Sequence, residues 1–219
     1  MTLEEAIAKI KPLDHNAMEI AQKRWDSIAK PLHSLGKLET LLIQIAGITG
    51  NAEVDLSRRG LIAMCADNGV VEEGVTQTGQ EVTAIVAENF LKYDTSVGVM
   101  CKQNHAEIFP VDMGMVTDTK VRTDHKIAYG TQNMTKGPAM TREQAVKGLE
   151  AGIDMVRELN DKGYRILATG EMGIGNTTTS SAVASVLLKQ PVEEMTGRGA
   201  GLTSEGLMRK INAIKKPLH

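Results

Sequence analysis

The stretch GEMGIGNTT, residues 170–178, combines the residue types that bind phosphate in proteins. Its glycines Gly170, Gly173 and Gly175 would let the backbone turn tightly and bring several N–H groups close to an anion. The helix predicted to follow would direct its positive end at the same anion. The spacing is that of a nucleotide-triphosphatase phosphate loop, but Asn176 stands where that loop has lysine. A single phosphate is therefore a better expected ligand than a triphosphate.

Glu171 does not fit simple anion binding. A carboxylate inside a phosphate site repels the ligand, so we expect Glu171 to accept a proton or to face a cationic centre. An alternative without any ligand stays open, because glycine can serve packing alone in an ordinary strand-to-helix turn. If the stretch does bind phosphate, the predicted ligands are Gly173, Gly175, Asn176 and Thr177.

A second glycine cluster, TGRGAG at residues 196–201, precedes a helix predicted to begin near Ser204. It could wrap a phosphate or a ribose in the same way, with Gly199 as its candidate ligand. Arg198 could pair with the phosphate, although a solvated surface arginine is at least as good an interpretation. Lys210 lies inside the predicted last helix and could supply the cation that the first stretch lacks.

The elements that must position these residues alternate between apolar runs and helical patterns. The apolar runs at residues 61–66, 107–111 and 165–169 are predicted strands, since each is short and ends at a polar or glycine-rich turn. A capping box of Thr141 and Gln144 opens a long helix. The predicted helices of this part span residues 81–91, 94–103, about 142–159 and 177–188.

Strand, turn and helix at this spacing predict an α/β fold, a parallel Rossmann-like sheet covered by helices in three layers (α/β/α). Ligands of such sheets bind outside the carboxyl ends of the strands. Three acidic residues are predicted to stand at those ends, namely Asp67, Asp112 and Glu171. The long irregular segment 117–140 could cover a substrate.

The amino-terminal part differs in texture from the rest of the chain. Residues 1–55 carry three helical patterns and no evident strand, and they predict a small helical subdomain. The capping box Thr2 and Glu5 opens the first helix, and Asp14 opens the second. Residues 56–219 are predicted to form the α/β domain that carries both glycine clusters.

Composition excludes several classes of partner and site. The formal net charge of −2, from 25 basic and 27 acidic residues, provides no basic surface for nucleic acid or an anionic membrane. Cys65 and Cys101 match no metal or redox spacing and are predicted buried thiols, which favours a soluble, cytoplasmic protein. The histidines show no metal-ligand spacing, and no metal site is expected; they are His15, His33, His105, His125 and His219.

Six stretches carry a resemblance that spacing alone does not reveal. They are SLGKLE, ADNGVVEEGVTQTGQEVT, VDMGM, GPAMT, GEMGIGNTT and MTGRGAGL, and they extend over nearly the whole chain. Together, in this order, they resemble the nicotinate-nucleotide:dimethylbenzimidazole phosphoribosyltransferase family. The resemblance implies transfer of phosphoribose from nicotinate mononucleotide to 5,6-dimethylbenzimidazole. The products would be nicotinate and α-ribazole 5′-phosphate for the nucleotide loop of cobalamin.

The resemblance also implies site residues and an assembly. Glu171 would be an active-site carboxylate, and Gln80 would contact the aromatic base. Met172, with Met113 and Met115, could line an apolar slot for this base because thioethers pack well on rings, but for most of the 12 methionines packing in the core is the better interpretation. For Gln80, a polar residue that caps the following helix is an equal alternative. The family implies a homodimer. No cofactor is expected, because the cationic pyridinium of the donor already activates the bond that breaks.

Two departures from the family pattern shape these expectations. Asn68 stands where many relatives have histidine. Relatives continue well beyond the position of His219, through a region whose glutamate, in a GEGSGA-like motif, is regarded as the principal general base. The resemblance therefore implies that residues 56–219 form a phosphoribosyl-binding domain and that the chain is truncated at its carboxyl end, which leaves this domain incomplete. Alternatives are a partner-dependent, non-catalytic subunit that binds the nucleotide, or an unrelated phosphate-loop hydrolase.

Overall fold

The computed structural model describes residues 1–218, and this part of the chain forms two compact units. The first unit is Met1–Arg58, and the second begins at Arg59. His219, the last of the five histidines considered above, lies outside the described residues.

The first unit is helical, with α1 at Leu3–Ala8, α2 at His15–Ser27 and α3 at Lys37–Thr49. The predicted caps are confirmed. Thr2 and Glu5 form the capping box of α1, and the Asp14 carboxylate accepts a hydrogen bond from the Ala17 amide at 2.9 Å. Small residues let α2 and α3 pack closely, and the buried ones are Ala17, Ala21, Ala46 and Gly47.

The second unit alternates strands and helices. Its strands are β1 at Arg59–Ala66, β2 at Ala106–Gly114 and β3 at Ile166–Met172. Its α-helices are α4 at Glu81–Lys92, α5 at Ser96–Gln103, α6 at Arg142–Asp161, α7 at Asn176–Leu188, α8 at Val192–Met195 and α9 at Ser204–Lys215. Short 3-10 turns occupy Gly69–Glu73 and Lys216–Leu218. Within residues 1–218, none of the helices is long and apolar enough to cross a membrane.

The three strands form one parallel sheet in the order β2-β1-β3, which confirms the predicted α/β fold. The central strand β1 is apolar on both faces because helices cover both. Ala63 and Cys65 pack in one core cluster with Ala87 and Phe90 of α4. Alternate residues point the other way, since the side chains of a strand alternate. Ile62 thus packs in a second cluster that includes Met155 and Leu159 of α6.

The predicted end of β3 at Thr169 is wrong. Pairing with β1 continues through Gly170 and Glu171 to Met172, which pairs with Cys65. The glycine at position 170 suggested a turn, but the ladder to β1 overrides that local preference. Glu171 therefore lies on a strand, and the glycine loop proper is only three residues long, from Gly173 to Gly175.

Asp67 directly follows β1, whereas Asp112 lies inside β2, two residues before its end at Gly114, so the predicted end of β2 at Val111 is wrong. Both residues are fully buried. Asp112 Oδ1 accepts hydrogen bonds from the amides of Gly114 and Met115 at 2.9 and 2.7 Å, and Lys126 Nζ lies 3.1 Å from Oδ2. Asp67 Oδ2 accepts from the Val116 amide at 2.8 Å. These two carboxylates therefore fasten the irregular segment after β2 to the sheet.

Both cysteines are buried free thiols, as predicted. Burial, followed by the negative charge of Asp112, raises the pKa of the Cys65 thiol to about 12. A thiol with so high a pKa stays protonated at neutral pH and is a packing group rather than a nucleophile.

Candidate functional site

A cavity of about 190 Å³ lies at the carboxyl end of β3, between the two glycine clusters singled out from the sequence. One wall is the β3–α7 loop, and the opposite wall is the loop before α9. Seven of the predicted site residues line this cavity, namely Met172, Gly173, Gly175, Asn176, Thr177, Gly199 and Lys210. Glu171 and Gln80 are not among its lining residues.

The β3–α7 loop presents backbone N–H groups to this region. The amides of Gly173 and Gly175 have no hydrogen-bond acceptor within residues 1–218. A side chain at Gly173 would collide with the carbonyl oxygen of Ala66, so only glycine permits the close approach of this loop to the end of β1. Because α7 begins at Asn176, the positive end of that helix adds to the field of these amides.

Lys210, on α9, places a buried ammonium group in the wall of the same cavity. The residue is 1% exposed, and its Nζ donates to Thr177 Oγ1 at 2.7 Å and to the Gly197 carbonyl at 3.1 Å. No ion pair joins it to a carboxylate in the described part of the chain. Burial lowers its pKa below the ordinary value of lysine. An ammonium carries three N–H donors, and protein acceptors account for two.

Gly199 brings the second glycine cluster onto the first. Its φ is +57°, and a Cβ at this position would lie 2.9 Å from Thr177 Oγ1 and 3.5 Å from Lys210 Nζ. A larger residue would therefore be strained in its backbone and would crowd both groups. The two clusters, predicted separately, form the two sides of one cavity.

Asn176 connects this cavity to Glu171. Its side-chain Nδ2 donates a hydrogen bond to the Glu171 carboxylate, and its Oδ1 accepts from the Thr177 amide at 2.6 Å. Partial burial raises the pKa of Glu171, while the hydrogen bond from Asn176 acts in the opposite direction. Glu171 is therefore a carboxylate beside the cavity whose proton affinity is increased by its surroundings.

The residues expected to contact the aromatic base do not all come together. Met172 lines the cavity, but the Gln80 side chain donates to the backbone carbonyl of Asn68 at 3.2 Å. Gln80 occupies the first position before α4 without capping it through its side chain, so the capping alternative is wrong. The shared methionine slot is also wrong, because Met115 is fully buried in the core and Met113 lines a different cavity.

Two more side chains shape the cavity, Gln77, which was not among the predicted site residues, and Arg198, for which two interpretations stayed open. Gln77 Nε2 donates to the Gly201 carbonyl at 2.7 Å and so bridges the loop before α4 and the second glycine cluster. The Arg198 guanidinium donates to the Leu202 carbonyl at 2.8 Å and to Ser204 Oγ at 3.1 Å, while the residue also lines the cavity. Gln77 lies inside one of the six stretches quoted above, but only the folded chain shows its partner.

The arrangement is suited to a small anion held at one end of a larger ligand. Unpaired amides, a helix amino terminus and a buried ammonium group all favour negative charge at one place. Within residues 1–218, no group of three or more histidine, cysteine, aspartate or glutamate side chains could hold a metal ion.

Comparison with known proteins identifies the family. A family model described as phosphoribosyltransferase matches residues 10–219. The chain belongs to this phosphoribosyltransferase family. Among curated relatives, nicotinate-nucleotide–dimethylbenzimidazole phosphoribosyltransferases from Ruminiclostridium cellulolyticum and Clostridium acetobutylicum are 50% and 48% identical over 220 residues. The CobT crystal structure from Thermus thermophilus superposes with a TM-score of 0.84 at 36% identity.

The match spans only part of the length of those relatives. The match covers 100% of the chain and 62% of each of the two clostridial proteins. For the Thermus CobT structure the corresponding shares are 92% and 61%. The chain thus spans about three-fifths of the length of the relatives it matches.

Proposed function

We propose that the chain is the nucleotide-binding part of a nicotinate-nucleotide:dimethylbenzimidazole phosphoribosyltransferase. Its substrates would be nicotinate mononucleotide and 5,6-dimethylbenzimidazole, the two compounds to which the names of its relatives refer. The products would be nicotinate and α-ribazole 5′-phosphate, the precursor of the cobalamin nucleotide loop. In this proposal residues 56–219 bind the phosphoribosyl group, and residues 1–55 form a separate helical subdomain.

One observation carries the proposal, the contact of Lys210 with Thr177 inside the cavity. Burying an ammonium group without a carboxylate partner is costly, and a bound anion would offset that cost. A phosphate monoester at this point would accept hydrogen bonds from Lys210 and from the amides of Gly173 and Gly175. The cavity fits a phosphate with part of its sugar, so the aromatic ring would extend beyond the lining residues.

The chemistry follows from the charge on the donor. The nicotinate ring of the mononucleotide is a pyridinium cation, so the N-glycosidic bond breaks with both electrons going to the ring nitrogen. The ribose carbon then gains oxocarbenium character and is attacked by one benzimidazole nitrogen from the opposite face. Holding the phosphate fixes the sugar for that attack, which inverts the β-configuration to α.

Glu171 is the proposed catalytic carboxylate of this chain. The attacking benzimidazole must lose the proton of its second nitrogen, and a carboxylate with a raised pKa is a suitable acceptor near neutral pH. The same negative charge would also stabilise the positive ribose carbon. The hydrogen bond from Asn176 links this carboxylate to the residues proposed to bind phosphate.

Calorimetric titration tests the proposal. The chain should bind nicotinate mononucleotide and should bind ATP with magnesium more weakly, because Asn176 replaces the lysine that contacts terminal phosphates. Nicotinate riboside, which lacks the phosphate, is the matched control ligand. Equal affinity for riboside and mononucleotide, or preference for ATP, would contradict the proposal.

Turnover is a separate measurement. Formation of α-ribazole 5′-phosphate should be measured for the chain alone and after addition of the segment of the R. cellulolyticum relative that the chain does not match. We also expect a cytoplasmic homodimer, as in the family. Light scattering on the purified chain measures the oligomeric state.

A further inference from the structure

The two peptide units that meet at Ile174, in the centre of the glycine loop, are each held by a residue that does not line the cavity. Thr83 Oγ1, on α4, accepts a hydrogen bond from the Ile174 amide at 3.0 Å, and Thr83 is 0% exposed. Asn68 Nδ2 donates to the Ile174 carbonyl at 3.1 Å. Both polar atoms of Ile174 are therefore occupied by side chains from elsewhere in the fold, and we call this pair of hydrogen bonds the Ile174 clamp.

Further contacts hold Asn68 itself in place. Gln80 Nε2 donates to the Asn68 carbonyl at 3.2 Å, and Thr179 Oγ1 lies 3.4 Å from Asn68 Oδ1. Like Asn68 and Thr83, Gln80 and Thr179 lie outside the cavity lining. Residues at the start of α4 and in the turn after β1 thus hold the glycine loop through contacts outside the cavity lining.

The position of the Ile174 clamp between two glycines gives it a consequence for ligand binding. Gly173 and Gly175 flank Ile174, and their amides are the ones without an acceptor in residues 1–218. A three-residue loop rich in glycine has many accessible conformations, so its amide directions are set only if something fixes its backbone. The bond from Asn68 fixes the peptide unit that carries the Gly175 amide, and the bond to Thr83 fixes the peptide unit that follows Gly173.

We infer that Thr83, with Asn68, is a positioning residue that aims the amides of Gly173 and Gly175 at the phosphate. The inference rests on the proposed function, because it assigns a purpose to the same anion site. Thr83 touches the loop backbone and acts on the ligand only through that loop. Its loss should therefore weaken the contribution of phosphate to affinity and leave the rest of the ligand unaffected.

The test compares one variant that removes the Thr83 hydroxyl, one that keeps it, and one control at another buried threonine. T83V removes the acceptor of the Ile174 amide with little change in volume, and T83S keeps a hydroxyl at the same place. T178V is the control, because Thr178 is also 0% exposed but its hydroxyl has no hydrogen-bond partner in the described part of the chain. Urea unfolding of each variant checks that the fold is retained.

Calorimetry with nicotinate mononucleotide and nicotinate riboside gives the first readout. T83V should bind the mononucleotide about 10-fold more weakly, corresponding to about 1.4 kcal/mol, and the riboside unchanged. T83S and T178V should stay within about 2-fold of the parent chain for both ligands. Unchanged mononucleotide affinity in T83V, or equal losses for both ligands, would overturn the inference.

Amide hydrogen exchange in the ligand-free chain gives a second readout that needs no nucleotide. Exchange at Ile174 should become at least about 10-fold faster in T83V and stay near the parent rate in T83S and T178V. Parent-like exchange in T83V would refute the Ile174 clamp even if the nucleotide binds. If the parent chain binds no mononucleotide but T83V shows faster exchange, the proposed function fails while the clamp itself stands.

Discussion

At the carboxyl ends of β1 and β2, buried carboxylates are held by the chain's own amides, whereas beside the end of β3 a buried ammonium group has no carboxylate partner in the described residues. Asp112 accepts from two backbone amides and pairs with Lys126. Among residues 1–218, the Lys210 ammonium donates to one hydroxyl and one carbonyl, and two amides lining the same cavity have no acceptor. Neighbouring strand ends of one sheet thus carry opposite charge arrangements, a buried carboxylate beside a lysine of the chain at Asp112 and a buried ammonium group suited to an anion at Lys210.

The difference shows why an acidic residue at a strand end is weak evidence for catalysis. Asp67, Asp112 and Glu171 occupy similar positions in the sequence pattern, but the first two are fully buried and bonded to the backbone of the next segment. Glu171 instead lies beside the cavity, and partial burial raises its pKa. Neutralising charge at each end should therefore affect different properties of the molecule.

The largest effect is expected from D112A, and it should fall on stability. The change would leave two buried amides unpaired and Lys126 without its buried partner, which costs about 3–5 kcal/mol of unfolding free energy. Urea denaturation measures this loss. D118A is the matched control, since Asp118 also contacts Lys126, at 3.2 Å, but is mostly exposed, so we expect a change below about 1 kcal/mol. Equal losses of unfolding free energy in both variants would contradict a special stabilising role of the buried Asp112 carboxylate.

K210M should show the opposite pattern, with lost binding and little lost stability. Removing the ammonium group should weaken nicotinate mononucleotide binding about 100-fold in calorimetry. The unfolding free energy should fall by less than about 1 kcal/mol, because relief of desolvation offsets two lost hydrogen bonds. K215M, on the same helix but partly exposed beside Glu193, should leave affinity unchanged. A K210M chain that binds normally would remove the distinction between the two strand ends.

E171Q separates the carboxylate from the phosphate site. Because Glu171 does not line the cavity, nicotinate mononucleotide affinity should change by less than about 3-fold, whereas turnover in the reconstituted reaction should fall at least about 10-fold. E107Q, at the opposite end of the sheet on β2, is the control and should alter neither quantity. Parent-like turnover in E171Q would exclude Glu171 from the chemistry.

The smallest expected effect is a pH dependence of stability. Burial lowers the pKa of Lys210, so at neutral pH the folded state bears the cost of a desolvated charge. As pH rises through the folded-state pKa towards the unfolded value of about 10.4, the folded protein loses this proton first and the cost disappears. The parent chain should therefore gain stability relative to K210M at alkaline pH, measured by urea denaturation at several pH values. A constant or reversed difference would contradict a buried, charged Lys210.

Local signals in the sequence were sufficient for most of the elements. The capping boxes Thr2–Glu5 and Thr141–Gln144 were predicted from four adjacent positions each, and both form as expected. The run LIAMCA predicted β1 because a strand covered on both faces is continuously apolar. These predictions succeed because the deciding interactions lie within the segment or depend on its burial alone.

Other features depend on partners far along the chain and could not be predicted from the sequence. The ladder to β1 carries β3 through Gly170 to Met172, against the local turn signal. The sequence indicates Lys210 only as a possible cation, whereas in the structure α9 brings its Nζ to 2.7 Å from Thr177 Oγ1. Thr83 closes one of the six stretches quoted above, but the sequence does not show its contact, since its partner Ile174 is 91 residues away. The glycine clusters indicated an anion site, but its cation and its supports required the fold.

The most direct test is a crystal structure of the chain with nicotinate mononucleotide. We expect phosphate oxygens at about 3 Å from Lys210 Nζ and from the amides of Gly173 and Gly175, with the sugar directed towards Glu171. A nucleotide bound elsewhere, or one whose phosphate lies outside the cavity between the two glycine clusters, would contradict this expectation.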